Sequence, residues 1–140
     1  GKLEPDEFQF IRKHPSAGRK ALNDMKCYSE NILRMVAEHH EKFDGTGYPF
    51  ELKGEKISLY ASICNIMDVF GALTAPRKNR PGMTPFAALT EMKNNMEGQF
   101  DMRILVNFIK TLADAAAAKV SASKSAGSSQ SSGNQVAASA

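Results

Sequence analysis

The sequence predicts an all-α body followed by a disordered tail rich in Ala and Ser. Three observations predict it. Apolar residues recur at three- and four-residue intervals through the first 112 positions. Helix-start residues, namely Ser29, Thr84-Pro85 and Asp101, stand ahead of the apolar runs. No stretch holds the two-residue period of a half-buried strand. Only Pro49–Glu55, turning at Lys53-Gly54, offers a short local pairing.

The elements follow in order. Glu4-Pro5-Asp6-Glu7 is an acidic helix start with Pro in the first turn, where its missing N–H does no harm. Phe8 and Ile11, with Phe10 as a further candidate, give that helix its apolar face, and Pro15 is expected to end it just after His14. A second helix runs from Ala17 to about Asp24. Behind Ser29, residues Ile32, Val36, His39 and His40 share one side of a third helix, which the turn-forming run Asp44–Pro49 must end. Ile57–Leu73 is apolar nearly all round and reads as a central, buried helix. A basic loop, Pro76–Gly82, leads to a helix with Phe86, Leu89, Met92 and Met96 on its face. The last helix carries Ile104, Leu105, Phe108, Ile109 and Leu112, and Ala and Ser can prolong it to about Lys119.

Composition divides the 140 residues unevenly. All 11 aromatics, all 7 Met, all 6 Pro and all 3 His precede Ala113, whereas the last 28 residues include 10 Ala and 8 Ser. The folded body is therefore 1–112, and 113–140 is a low-complexity tail that cannot bury enough apolar area to offset chain entropy. The net charge of +3 is too small to argue for a nucleic-acid polymer or an anionic membrane as partner. No apolar run reaches membrane-spanning length, because Asn65 and Asp68 interrupt the best one. Cys27 and Cys64 read as small core residues rather than a disulfide framework. A cytoplasmic location is the expectation.

Two of the three histidines, His39 and His40, are adjacent, and His14 stands at a Pro break. Neutral imidazole is a common ligand of first-row metals, so three rings from two helix ends can form a site. Asp68 lies midway along the most apolar helix, and a buried carboxylate is costly without a cation or donors. Taken alone, the same residues also fit a bland alternative, with Asp68 in water and ordinary surface histidines.

Residues 39–49 read His-His-Glu-Lys-Phe-Asp-Gly-Thr-Gly-Tyr-Pro, or HHExxDGxGYP. This string resembles the signature of the HD-GYP family of metal-dependent phosphodiesterases. The flanks are similar too: Gly1–Phe8 with His14-Pro15 resembles the family's "GKLTPEEF…KHP" segment, and Ile57–Thr74 its "DvFDAL" helix. Arg77–Arg80 resembles its "RPYR" loop, and Gln99–Phe108 its closing helix.

The resemblance implies an HD-domain-like helical bundle that hydrolyses the bacterial messenger cyclic di-GMP with two or three metals, often iron or manganese. It implies His14, His39, His40 and Asp68 as metal ligands. It places Tyr48 and Pro49 beside the substrate and Arg80 on a substrate phosphate. Glu41 and Asp44 then become acceptors that buttress the histidines, and Gly45 and Gly47 serve a tight turn. The loop is also linked in the family to contacts with diguanylate-cyclase domains.

The sequence departs from the family pattern in three places. It contains no adjacent His-Asp pair, the dyad for which the family is named. Gly71 stands where the family has a second Asp, and Lys78-Asn79 where it often has Pro-Tyr. The expectation is an N-terminally truncated bundle that lacks turnover by itself. Its uncovered apolar faces would favour a homo-oligomer. The alternative is a non-catalytic module that binds cyclic di-GMP or a protein.

Overall fold

The computed structural model describes residues 4–78 and 80–127. Gly1–Leu3 of the "GKL" segment, Asn79 of the basic loop and residues 128–140 of the expected tail lie outside the described residues. Six α-helices follow in order: α1 Pro5–Ile11, α2 His14–Asp24, α3 Glu30–Glu38, α4 Leu59–Thr74, α5 Pro85–Asn94 and α6 Met102–Gly127. A 3₁₀ turn, Gly54–Lys56, occupies the segment for which local strand pairing was an option. There is no strand among the described residues, only an isolated bridge between Arg77 and Arg80.

The helix starts are chemically specified. Glu4 and Glu7 form a reciprocal capping box at α1, with Glu4 N–H donating to Glu7 Oε2 at 2.9 Å. Ser58 Oγ accepts from Ala61 N–H at α4, and Thr84 Oγ1 from Ala87 N–H at α5. Asp101 opens α6 by accepting Arg103 N–H at 2.9 Å.

Pro15 acts differently from the sequence expectation. It sits in the first turn of α2, where a helix tolerates a missing N–H, so it opens a helix instead of ending one. His14 is therefore the first residue of α2. His39 is the C-cap of α3, so the paired histidines lie just past that helix rather than along its face.

The chain divides into two compact units, Gly1–Leu105 and Val106–Ala140. In the first, α2 packs on α3, α3 on α4, and α4 on α5. Ala37, Ala61 and Ala88 are fully buried on three successive helices, and such small residues let helix axes approach closely. Leu33, Ile57, Ile66, Met92, Phe100 and Leu105 complete the core. Full burial of a Leu or Ile side chain contributes about 1.5–3 kcal/mol.

The central position expected for α4 is only half realised. Ala61 and Ile66 are buried, but Leu59, Tyr60, Ile63 and Met67 face outward, with Met67 57% exposed. The described neighbours of α4 cover one side of it. Phe86, expected on the inner face of α5, is exposed, and so is Cys27, while Cys64 is half-buried; both thiols are free.

In the second unit the helix runs on through Gly127, beyond the expected end near Lys119. The hydroxyls of Thr111, Ser121 and Ser123 donate back to carbonyls of the preceding turn, at 2.9, 2.9 and 2.8 Å. Among the described residues no helix is long and apolar enough to cross a membrane.

Candidate metal centre

Three chain corners meet at the histidines: the α1–α2 junction, the end of α3 and the loop that follows it. A ligating nitrogen from each of His14, His39 and His40 lies within 4.8 Å of the other two. His14 Nδ1 donates to the Ile11 carbonyl at 2.6 Å, and His39 Nδ1 donates to the Val36 carbonyl at 2.8 Å. A carbonyl only accepts, so the hydrogen-bond network assigns the proton of each neutral ring to Nδ1. The two Nε2 lone pairs then face each other at 3.2 Å. Two lone pairs at that distance repel unless a proton or a metal ion lies between them. This donor set fits a divalent cation.

His40 completes the cluster in another way. Its ring stacks on Tyr48, with centroids 4.8 Å apart and planes 27° apart, and lies 4.1 Å from the His39 ring. Burial, reinforced by His39 and His14 and opposed by Asp68, pushes its pKa from 6.5 down to about 4. His40 is thus neutral at pH 7, the form that ligates.

Asp68 falls outside the group of three. It is exposed on α4 and reaches His40 through its charge. It lines an open groove of about 630 Å³ with Ala72, Arg77, Lys78, Arg80 and Met96. Arg80 caps the end of α4 by donating to the Ala72 carbonyl at 3.0 Å, and the backbones of Arg77 and Arg80 bond reciprocally. The expected carboxylate and phosphate-contacting residues therefore share a groove that none of the three histidines lines.

Glu41 and Asp44 do not stand behind the imidazoles; the Ile11 and Val36 carbonyls hold that position. Glu41 is buried, and its two oxygens accept the N–H groups of Phe50 and Leu52 at 2.7 and 2.9 Å. Asp44 accepts both the N–H and the hydroxyl of Thr46, which keep its carboxyl below the usual range. Both acids shape the loop. Gly45 has φ +87°, which favours glycine, and a Cβ on Gly47 would collide with the backbone of Glu41 and Lys42. Tyr48 N–H returns to the His40 carbonyl at 3.2 Å, and the Tyr48-Pro49 peptide is cis.

Three contributors carry no local motif. Asn65 Nδ2 donates to the carbonyls of His39 and Glu41 at 3.0 and 3.2 Å, satisfying the open end of α3 from α4. Its signal was a polar residue inside an apolar helix. Glu38 is buried, paired to Arg34 at 2.7 Å, and accepts Ser58 N–H at 2.7 Å; the four-residue spacing of Arg34 and Glu38 is its trace. Arg12 lies against Tyr48, its guanidinium carbon 5.1 Å from the ring centroid, and no spacing in the sequence announces that contact.

A fold of consecutive helices that gathers three histidines between the start of α2 and the end of α3 defines a class, and comparison with known proteins agrees with it. Residues 1–104 match the HD domain family. The chain belongs to that family, in its HD-GYP branch, and family membership implies binding of divalent metal. It is 37% identical to a cyclic di-GMP phosphodiesterase of Pseudomonas aeruginosa over 112 residues, 80% of this chain and 27% of that protein. It is 34% identical to the 3'3'-cGAMP-specific phosphodiesterase 3 of Vibrio cholerae, covering 80% and 24%. A cyclic di-GMP phosphodiesterase response regulator of Xanthomonas campestris is 36% identical, covering 74% and 28%. The chain thus spans about a quarter of the length of these relatives. In fold it resembles an HDG"Y"P protein of Bdellovibrio bacteriovorus, with a TM-score of 0.64 at 18% identity over 80% of this chain and 35% of that one.

Proposed function

We propose that this chain is the GYP-bearing part of a metal-dependent phosphodiesterase acting on a 3'3'-linked cyclic dinucleotide, with cyclic di-GMP as first choice. The observation that carries the reading is the pair of facing Nε2 atoms, 3.2 Å apart, with His40 beside them. Iron or manganese is the proposed metal. A divalent metal held there supplies charge neutralisation on a phosphate and a more acidic bound water. His14, His39 and His40 hold it. Asp68 adds negative charge beside His40. Arg77, Lys78 and Arg80 give the groove a cationic wall for phosphate oxygens, Arg through paired N–H groups and Lys as a point charge.

Without an adjacent His-Asp pair, residues 1–140 bind but do not turn over the dinucleotide. The proposed setting is cytoplasmic, with the 45–49 loop available to a diguanylate-cyclase domain and the outward apolar side of α4 available to a second copy. Calorimetry with cyclic di-GMP and 3'3'-cGAMP, with and without manganese, tests this. The expected result is metal-dependent heat and no linear product. Hydrolysis by 1–140 contradicts the inactivity, and no heat with either nucleotide contradicts the substrate class.

A further inference from the structure

The three histidines are not oriented alike. His14 and His39 each donate Nδ1 to a backbone carbonyl. Among the described residues the ring nitrogens of His40 make no hydrogen bond, and its ring is held by stacking on Tyr48. The Tyr48 ring in turn touches two residues of the α1 end. Arg12 lies 5.1 Å from its centroid, and Phe8 meets it edge-on at 6.5 Å. Arg12 is also within 5.9 Å of the Phe8 ring, and it forms no ion pair among the described residues. The residue before it, Ile11, supplies the carbonyl that orients His14. One short corner, Ile11-Arg12, thus reaches two of the three histidines.

We infer that Arg12 is a positioning residue that holds the Tyr48 ring against His40 by a cation–π contact. The inference rests on the metal-centre reading for its purpose, but not for its geometry. Two effects of Arg12 oppose each other. Its contact with Tyr48 fixes the ring that fixes His40, and cation–π contacts contribute about 0.5–1 kcal/mol at exposed sites. Its positive charge acts the other way on a bound cation, which it repels. The geometry favours positioning, since Arg12 touches Tyr48 directly while no contact among the described residues joins it to a histidine, and the sign of the effect on cobalt affinity decides between the two.

The test uses residues 1–140 with Arg12→Gln, Arg12→Lys, Tyr48→Leu and Tyr48→Phe. Two quantities are read: the proton resonances of the three histidine rings in metal-free protein, and cobalt affinity by calorimetry. Tyr48→Leu removes the ring-current shift of His40 and weakens cobalt about 10-fold or more, as loss of a ligand-orienting group does. Tyr48→Phe keeps both. Arg12→Gln moves the His40 resonance part of the way, leaves His14 in place and weakens cobalt about 2- to 5-fold. Arg12→Lys recovers part of that loss. An Arg12→Gln protein with an unchanged His40 resonance, or with tighter cobalt binding, overturns the inference. If the unaltered chain binds no cobalt, the metal-centre reading falls together with the purpose assigned to Arg12, while the His40 resonance still decides the contact itself.

Discussion

The histidine corner and the basic groove lie at opposite extremes of preparation. At the corner each element is tied down. Two carbonyls orient His14 and His39, Tyr48 backs His40, Asn65 closes the end of α3, and Glu41 holds the loop from beneath. In the groove Asp68, Arg77, Lys78 and Arg80 are exposed, and the side-chain anchor there is the bond from Arg80 to the Ala72 carbonyl. The half of the site proposed for the metal is organised before any ligand arrives, and the half proposed for the anion is not. A cation needs fixed donors at short range. A phosphate accepts mobile cations, which lose side-chain entropy on binding.

The largest expected effect lies under the corner. Glu41→Ala removes the buried carboxylate that accepts the N–H groups of Phe50 and Leu52, and two part-buried hydrogen bonds to a charged acceptor contribute about 3 kcal/mol or more together. Thermal unfolding should show a Tm lower by more than about 10 °C. A fall of only a degree or two would mean that the loop is as loosely held as the groove.

Asn65→Ala comes next. It frees the carbonyls of His39 and Glu41 without touching a ligand, and cobalt affinity should drop about 10-fold, as measured by calorimetry. Unchanged affinity would show that α4 does not set the position of the histidine pair.

Acid should loosen the corner before the start of α6. The folded chain keeps His40 neutral down to about pH 4, whereas the unfolded chain protonates it near 6.5, so its contribution is complete above 6.5 and is lost as pH falls toward 4. Asp101 is held below the usual carboxylate range by its hydrogen bonds from Arg103, so its contribution fades only as pH falls below about 3.8. Urea midpoints from pH 8 to pH 3 measure both windows. Asp101→Ala should remove the lower one and cost about 1–2 kcal/mol as a lost helix cap.

The smallest effect on stability belongs to the groove. Arg80→Ala should change unfolding free energy by less than about 0.5 kcal/mol while weakening dinucleotide binding. A loss of several kcal/mol would make Arg80 a structural brace rather than a groove cation.

Much of this was legible in the residues. The capped helices, the turn at Gly45 and Gly47 and the HHExxDGxGYP string identify the fold and the three histidines. The roles of Glu41 and Asp44 were not legible, because the carbonyls that orient His14 and His39 come from the backbone, which no side-chain pattern records. Pro15 was ambiguous for a related reason: proline ends one helix and opens another with the same local chemistry. The apolar pattern of α4 reads as buried on every side, and it does not record which side the described residues leave uncovered. Arg12 meets Tyr48 across 36 positions of chain, a distance that local spacing does not bridge.

The central claim is that the three histidines form a preorganised divalent-metal centre. Cobalt titration of residues 1–140 and of His39→Ala at pH 7 tests it most directly. The account predicts saturable binding to the unaltered chain, and loss of that binding in His39→Ala with the helical content retained. Equal binding by the two proteins, or none by either, would contradict it.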